Sequence, residues 1–449
     1  MSKAKKVVEV IPSARKLIRA LRDLGYDFST AIAELVDNSI VAGATSVHIN
    51  AFFEGDDSWV MVRDNGVGMN TKELIEAMRL GTEREEREED LGKFGLGLKT
   101  ASFSQCDLVS VISRKDPAKN EIVSYCWDLD HIDKKDRWEI IELLKDDLDP
   151  RFTESLDVNT GTVVIWQNLN RMLGYQRPLG DAAKRRMSTL CRELEEHLAM
   201  VYHRFIDGEV KNQVKLQIFL NGNQIKSWDP FARTELKTIH RRAIRIPVEY
   251  EGVHGFVRVE PYILPHQEDF SSYRAWEIAS GPRRWNQQQG FYIYRENRLI
   301  QSGGWSRLRT SDEHTKLARI AMSFSKNLDD AFKINVPKMR VQIPSQIKEQ
   351  IEAEVQNVVK LAQAKYRRKK PATSPPPRPP SPPVYDPPND PPKFISENSG
   401  FHHSVEPKRV WTLDEMENEL KKAAKPDERI VILNVFKRLR LELSKLVRS

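Results

Sequence analysis

A proline-rich stretch limits how much of this chain can fold into one compact body. Residues 371–393, PATSPPPRPPSPPVYDPPNDPPK, hold twelve of the chain's 25 prolines. Proline lacks a backbone N–H and is excluded from helix interiors and central strands, so this stretch is predicted to be an extended, semi-rigid spacer. The folded body is therefore expected to end near Lys370.

Beyond the spacer, the segment at 411–449 contains two helix-like pieces split by Lys425-Pro426. The second piece has too many apolar positions for a lone solvated helix, and we expect it to pack on another copy, on the body or on a partner protein. The sequence thus predicts a disordered linker at 371–410 and a C-terminal helical segment at 411–449. Two folded domains, at 1–206 and 207–370, precede them.

Composition is that of a soluble globular protein. The 449 residues include 71 basic and 64 acidic residues, a formal charge of +7, which permits a nucleic-acid partner without requiring one. The three cysteines (Cys106, Cys126 and Cys191) are scattered without metal-ligand spacing, as suits a reducing compartment. Neither a signal-peptide pattern nor a membrane-length apolar run is present, so we expect a cytoplasmic protein with no membrane contact.

The order of the predicted elements favours an α+β fold. In the first domain, helices are predicted at 11–42, 71–80 and 180–205, and strands at 45–53, 58–63, 107–113, 121–127 and 160–167. In the second domain, strands are predicted at 214–220, 244–250, 255–263 and 290–295, followed by a helix at 345–370. A helix followed by several strands in succession favours an α+β sandwich over alternating βαβ units.

Three polar residues interrupt the apolar run AIAELVDNSI, residues 31–40. Glu34, Asp37 and Asn38 stand at helical positions i, i+3 and i+4, so they share one face of the predicted helix. Such residues form either a hydrogen-bonded part of the core or a chemical site, and this stretch alone does not decide between the two.

A second motif, VRDNGVGM at 62–69, places Asp64 at the end of a predicted strand. Gly66 and Gly68 would let a flat ligand approach the backbone beside this carboxylate. An ordinary β-turn is the alternative interpretation, because Asp-Asn-Gly is common turn chemistry.

A third motif, GKFGLGLKTAS at 92–102, leads into a helix predicted to begin near Leu98, with Lys99 close by. Free backbone N–H groups at such a helix start favour phosphate binding, although the spacing matches neither GxxxxGK[ST] nor GxGxxG. A mobile surface loop is the alternative. Together, however, the three motifs predict a nucleotide site with a carboxylate able to activate water.

In this order the motifs resemble the GHKL ATPases, the superfamily of DNA gyrase B, the ninety-kilodalton heat-shock chaperone, histidine kinases and MutL. ELVDN is similar to the N-box, DNGVG to the adenine-binding turn, GKFGLGLK to the lid glycine motif and GTVVIW at 161–166 to the fourth motif. LNGNQIKSWDPF at 220–231 and GFYIYRENRLI at 290–300 resemble MORC-type and related prokaryotic ATPases. The likeness implies a Bergerat-type ATP-binding α/β sandwich followed by a ribosomal-protein-like α/β transducer domain.

The resemblance also implies roles for individual residues. Glu34 would be the general base that polarises water, and Asn38 would be the Mg²⁺ ligand. Asp64 would accept a hydrogen bond from the adenine amino group, supported by the hydroxyl of Thr162. The remaining ATP contacts implied are Gly66, Gly68 and Met69 at the base, and Gly92, Lys93, Phe94, Gly95, Leu96, Gly97, Leu98 and Lys99 at the phosphates.

Further positions carry weaker implications. Residues 81–92 would form the ATP lid. Lys338, within KINVPKMRVQIP, would complete the γ-phosphate site as a catalytic residue, with Arg340 as the second candidate and an ordinary exposed lysine as the alternative. Val41 stands where many N-boxes carry Asp, and Asp37 is expected to be a hydrogen-bonding residue of the helix face without a catalytic role.

The function implied is Mg²⁺-dependent ATP hydrolysis that drives an ATP-gated, dimerising conformational clamp on DNA or a nucleoprotein. The expected partners are ATP, a second copy of the chain, duplex DNA and a protein bound through the C-terminal helices. The alternative is an ATP-sensing scaffold or chaperone-like protein that recruits a protein partner through its C-terminal region. A histidine kinase, a type II topoisomerase and a MutL-type endonuclease are disfavoured, because their phosphoacceptor helix, cleavage-tyrosine domain and metal-binding signature are not found.

Overall fold

The computed structural model describes residues 10–23, 25–81, 97–119, 121–157, 159–174, 179–334 and 341–367. All of them lie in the first unit of the chain, Met1–Ala372. The predicted linker at 371–410 and the C-terminal segment at 411–449 lie outside the described residues. In the described part, no helix is both long and apolar enough to cross a membrane.

The helices and strands follow the predicted order closely. The helices are α1 Ala14–Arg22, α2 Phe28–Val41, α3 Thr71–Met78, α4 Gly97–Phe103, α5 Leu129–Lys135, α6 Pro150–Thr153, α7 Asn170–Leu173, α8 Asp181–Val201, α9 His203–Asp207, α10 Tyr273–Ser280, α11 Arg284–Gln288 and α12 Ser345–Tyr366. The strands are β1 Ser46–Phe52, β2 Trp59–Asp64, β3 Leu108–Arg114, β4 Val123–Asp128, β5 Ile141–Glu142, β6 Gly161–Gln167, β7 Gln217–Leu220, β8 Asn223–Gln224, β9 Ile239–His240, β10 Ile244–Tyr250, β11 Val253–Ile263, β12 Gly290–Arg295, β13 Arg298–Ser302 and β14 Ala318–Phe324.

The predicted helix at 11–42 is two helices. α1 ends at Arg22, and α2 begins at Phe28 after its N-cap Asp27, whose side chain accepts a hydrogen bond from the Thr30 amide at 2.8 Å. Gly25 between them has φ +85°, a left-handed conformation that glycine adopts without strain. The helical pattern of the sequence continues across 11–42, but Gly25 and the N-cap Asp27 divide it into two helices.

The first sheet has the strand order β5-β4-β3-β6-β2-β1-β7-β8. Neighbours are antiparallel except β1 and β7, which run parallel. Helix α2 packs between α4 and α8 over one face of this sheet. A smaller apolar cluster that includes Met61, Phe152 and Ile165 covers part of the opposite face. This layering is a mixed α+β sandwich, as predicted.

Helix α2 lies deep inside this sandwich. Eleven of its 14 residues are buried, so it is enclosed on nearly every side rather than amphipathic. Any polar side chain on α2 must therefore be hydrogen-bonded, paired or directed at a cleft.

The first sheet extends past the predicted domain boundary at residue 206. Strand β7 pairs with β1, and the buried side chains of Leu216, Ile218 and Leu220 belong to the first apolar core. The sequence assigned 214–220 to the second domain because it follows the long helix α8. The chain instead returns to the first sheet, which ends at β8.

The second sheet has the order β10-β11-β14-β12-β13, with β9 paired to β11. Strands β12 and β14 run parallel, and the other pairs are antiparallel. Helix α12 packs on β10, β11 and β14 and contributes Ile347, Ile351 and Val358 to a second apolar core.

Replacing Ile218 tests the position of β7. Ile218 is fully buried in the first core, so Ile218→Ala should lower the free energy of unfolding by about 2–5 kcal/mol through the lost contacts and the cavity left behind. The exposed neighbour Gln217 supplies the matched control, and Gln217→Ala should change stability by no more than about 0.5 kcal/mol. Urea unfolding followed by circular dichroism measures both, and equal effects would contradict the assignment of β7 to this core.

Candidate functional site

The three polar residues of α2 point to different surroundings. Glu34 and Asp37 are 4% and 1% exposed, whereas Asn38 is exposed. All three lie on α2, and the side chain of Asp37 reaches Arg298 of the second sheet.

Glu34 lies against the start of α4. Gly97 is the first residue of that helix, and a Cβ atom added to Gly97 would lie 2.6 Å from Oε2 of Glu34. Only glycine leaves room for the carboxylate at this distance. The structure thus brings together the buried glutamate and the last glycine of the predicted phosphate loop.

Asp64 closes strand β2 with its carboxylate held from two sides. The Ser39 hydroxyl of α2 donates to Oδ2 at 3.0 Å, and the Gly66 amide donates to Oδ1 at 2.9 Å. Burial raises the pKa of the Asp64 carboxyl above its usual value, while hydrogen bonds from Gly66, Ser39 and the Thr162 amide oppose that rise. Ser39 was not predicted, although its position next to Asn38 in the same helical motif was a signal for it.

The turn after Asp64 requires glycine at position 68. Gly68 has φ +63°, and a Cβ there would overlap the backbone carbonyl oxygen of Arg114 on β3. The next amide, Met69, donates to the Ser113 hydroxyl at 2.9 Å. The turn is therefore fastened to β3, with its backbone beside the Asp64 carboxylate.

Thr162 supports this region differently from the predicted way. In the β2–β6 ladder Thr162 stands opposite Asp64, but its hydroxyl lies 3.0 Å from the Ser113 hydroxyl. The Thr162 backbone amide, rather than its side chain, helps to hold down the pKa of the Asp64 carboxyl. Ser113 was missed because nothing in the strand sequence marks it; its role depends on register between three strands.

Lys99 does not project from the glycine motif as a free cation. Its side chain is 3% exposed, and Nζ donates to the carbonyl oxygen of Ala77 at the end of α3, at a distance of 2.9 Å. Burial lowers the pKa of Lys99 from 10.5 to about 8. This position differs from the predicted phosphate contact and gives the lysine a structural partner.

Several predicted site residues lie outside the described residues. They are Gly92, Lys93, Phe94, Gly95 and Leu96 of the glycine motif, and Lys338 with its alternative Arg340. Leu98 is half-buried and packs on the first core. Val41, at the position where many N-boxes carry Asp, is 38% exposed.

Asp37 forms a buried ion pair with the second sheet. The Nε atom of Arg298 on β13 donates to Oδ1 at 2.8 Å, and both side chains are almost fully buried. The Tyr202 hydroxyl lies 2.6 Å from the same oxygen and 2.7 Å from the Ala33 carbonyl oxygen. Breaking such a pair costs about 3–5 kcal/mol because it leaves a buried charge uncompensated. The hydrogen-bonding partner of Asp37 is thus Arg298, which lies 261 residues later in the sequence.

The donor groups fit a nucleotide better than a protein-bound metal cluster. Among the described residues, no group of three or more His, Cys, Asp or Glu side chains could hold a metal ion. Mg²⁺ commonly takes one or two protein ligands and completes its shell with phosphate oxygens and water. Asn38 presents an exposed carboxamide of that ligand type on α2.

Comparison with known families agrees with this geometry. The family described as histidine kinase-, DNA gyrase B- and HSP90-like ATPase matches residues 26–162, a range that holds α2, the Asp64 turn, α4 and Thr162. Residues 26–162 are thus similar to the GHKL ATPase superfamily. Glu34, Asp64 and Gly97 all lie within the matched range.

Individual relatives resemble only part of the chain. ATPase morc-1 of Caenorhabditis elegans is 32% identical over 87 residues, which are 19% of this chain and 10% of that protein. Chaperone protein HtpG of Rickettsia canadensis is 32% identical over 107 residues, 21% of this chain and 16% of that protein. Protein MICRORCHIDIA 5 of Arabidopsis thaliana is 38% identical over 80 residues, 16% of this chain and 11% of that protein. Each match thus spans less than a fifth of the relative's length.

Burial of Lys99 predicts that the stability of the protein depends on pH. In the folded protein Lys99 loses its proton near pH 8, whereas an unperturbed lysine keeps it to about 10.5. Raising the pH through this window removes the cost of burying an ammonium group. The free energy of unfolding of the wild type should therefore rise relative to that of Lys99→Met, by up to about 1.4 kcal/mol per pH unit.

Urea unfolding at about pH 7.5, 8.5 and 9.5, which run from just below that window to its middle, measures this difference. Lys72→Met, on the exposed side of α3, is the matched control and should keep the wild-type pH profile. Identical slopes for all three proteins would show that Lys99 is not buried as described.

Proposed function

We propose that the chain is an Mg²⁺-dependent ATPase that works as an ATP-gated, dimerising clamp on DNA or a nucleoprotein. The observation that carries the hydrolytic part is the buried Glu34 carboxylate placed against Gly97, at the start of the helix that follows the glycine-rich loop. Phosphoryl transfer needs little from a protein beyond a positioned water and neutralised phosphate charge. A carboxylate at the phosphate end of the cleft meets the first need.

The roles of the other residues follow from their positions. The Asp64 carboxylate, held by Ser39 and the Gly66 amide, is fixed to accept a hydrogen bond from an adenine amino group. Gly68 allows the turn to lie close to β3, which leaves the groove open for the base. The backbone amides at the start of α4, near Gly97, are oriented to donate to phosphate oxygens.

Asn38 would hold the Mg²⁺ ion together with phosphate oxygens of the bound nucleotide. The ion, when bound, supplies positive charge that offsets the charge developing on the phosphates. Asn38 is exposed on α2, four residues after Glu34, so one helix presents both the amide oxygen and the carboxylate to the same cleft.

We assign the second sheet and α12 the role of a transducer that passes the nucleotide state to the rest of the molecule. The parallel pair β12 and β14, together with α12 on the sheet, is compatible with the ribosomal-protein-like fold implied by the sequence. Lys338 would reach the γ-phosphate from this part of the chain.

Clamp closure on DNA is proposed from the resemblance of the motifs to MORC-type ATPases and from the mildly basic composition, +7 overall. The similarity to a chaperone protein favours a second candidate function, an ATP-sensing or chaperone-like scaffold that recruits a protein partner. Rapid ATP turnover that responds to DNA would distinguish the clamp from such a scaffold.

Substitution of Glu34 tests the hydrolytic assignment. Glu34→Ala should lower steady-state ATP turnover by about 100-fold or more, because a positioned general base contributes about 10²–10⁴-fold. Affinity for a non-hydrolysable ATP analogue should change only a few-fold, since the contacts proposed for the adenine and the phosphates remain. Glu195→Ala, an exposed glutamate on α8, is the control and should turn over ATP at the wild-type rate. Wild-type turnover by Glu34→Ala would eliminate Glu34 as the base.

A separate experiment tests the clamp and its partner. The ATPase rate of the full chain should rise severalfold with duplex DNA, and the solution mass should double in the presence of a non-hydrolysable ATP analogue. Light scattering measures the mass, and the Glu34→Ala protein should remain dimeric with ATP because it does not hydrolyse it. A monomer under all nucleotide conditions would contradict the clamp while leaving the hydrolytic assignment intact.

A further inference from the structure

The buried contact between α2 and the second sheet has properties that a packing role alone does not explain. Asp37 and Arg298 are 2% and 3% exposed at their side chains, and they join α2 to β13. Replacement of such a pair by apolar residues is often neutral or stabilising. A buried pair at the joint between a catalytic helix and another domain therefore calls for a functional explanation.

The pair belongs to the same helical turn as the proposed base. Asp37 follows Glu34 by three residues, and Tyr202 lies within hydrogen-bond distance of both the Asp37 carboxylate and the carbonyl oxygen of Ala33. Ala33 directly precedes Glu34. Any rotation or shift of α2 that these contacts prevent would also turn the Glu34 carboxylate away from Gly97.

Tyr202 is itself connected to the second sheet. It stands at the joint between α8 and α9, and the next residue, His203, has Nε2 at 2.8 Å from the Tyr294 hydroxyl on β12. The guanidinium of Arg204 lies 3.5 Å from the centre of the Tyr294 ring. The α8–α9 joint thus contacts the catalytic helix through one residue and the second sheet through the next two.

A tight turn fixes Arg298 on that sheet. Arg295 and Arg298 are paired across the β12–β13 hairpin, and the two residues between them, Glu296 and Asn297, have φ of 46° and 68°. Positive φ at both positions is the signature of a two-residue hairpin turn matched to the twist of the strands. The Arg298 guanidinium consequently follows the second sheet when that sheet moves.

The interface beside the ion pair is not packed continuously. A cavity of about 640 Å³ lies next to it, lined by Asp27 and Thr30 at the start of α2 and by Arg298 and Ile300 of β13. Within the described part of the chain, the Nη2 atom of Arg298 is buried without a hydrogen-bond partner. Unused hydrogen-bonding capacity and adjacent space allow the guanidinium a second arrangement, whereas a filled core would not.

We propose that Asp37, Arg298 and Tyr202 are positioning residues that couple the second sheet to the orientation of Glu34. With the ion pair formed, α2 is held so that Glu34 faces the phosphate end of the cleft; displacement of β13 releases α2 and slows hydrolysis. This inference rests on the proposed ATPase function and adds to it the contact through which the second domain controls turnover.

A kcat and KM comparison of matched buried pairs tests the coupling. Arg298→Met should lower kcat for ATP at least tenfold while changing the affinity for a non-hydrolysable analogue less than about threefold, because Arg298 is paired with Asp37 and lies beside Tyr202. Arg295→Met is the control: Arg295 is equally buried and is paired with Asp329 at 2.7 Å, but that pair does not touch α2. It should lose stability as Arg298→Met does and keep kcat within about twofold at a temperature where both proteins are folded.

Two further variants keep the test decisive if Arg298→Met does not fold. Tyr202→Phe keeps the ring and removes only the hydroxyl, and Asp37→Asn keeps the side-chain shape; each should lower kcat severalfold with little change in analogue affinity. Asp37→Asn combined with Arg298→Met should be no slower than the slower single variant, because both act through one contact. Additive losses, or wild-type kcat in Tyr202→Phe and Asp37→Asn, would overturn the coupling. Absence of turnover in the wild type would instead remove the ATPase proposal on which the coupling rests.

Discussion

Burial of α2 is the constraint on which the rest of the site depends. In a helix with eleven of 14 residues buried, the buried polar side chains have no access to solvent, so each needs a partner within the protein or a place in a cleft. Asp37 is paired with Arg298 of the second sheet, and the Ser39 hydroxyl donates to the carboxylate of Asp64. Glu34 meets the start of α4, where a Cβ atom on Gly97 would lie 2.6 Å from its carboxylate oxygen. The same helix therefore joins the nucleotide cleft, the first sheet and the second sheet, and its position sets the geometry of all three.

Local patterns predicted most helices and strands of the described residues. Alternating apolar residues located the strands that carry Asp64 and Thr162, and helical spacing placed Glu34, Asp37 and Asn38 on α2. Glycine was informative where the backbone needs it: Gly68 at a left-handed φ and Gly97 against a carboxylate. These features are encoded within a few residues of one another, which is why a single sequence reveals them.

Local sequence patterns did not predict contacts between distant segments. Nothing near Asp37 identifies Arg298 as its partner, and the hydroxyl of Ser113 is defined only by the register of neighbouring strands. The ammonium of Lys99 was expected to face phosphates, yet the carbonyl at the end of α3 binds it. The boundary at residue 206 failed for a similar reason, since pairing of β7 with β1 is a tertiary choice. In each instance the side chain or strand has two chemically reasonable partners, and packing of the whole domain selects one of them.

The parallel pairing of β7 with β1 has a consequence for biosynthesis. A chain emerging from the ribosome presents β1, β2 and the strands up to β6 long before Gln217–Leu220 is translated. During that interval β1 is an open sheet edge, able to pair with any extended chain that meets it. The edge is covered only when β7 pairs with β1, and β7 follows the whole of α8 in the chain. Premature termination or a slow stretch of translation before residue 217 would thus produce an aggregation-prone nascent chain, even though all the described residues of the nucleotide cleft had already been synthesised.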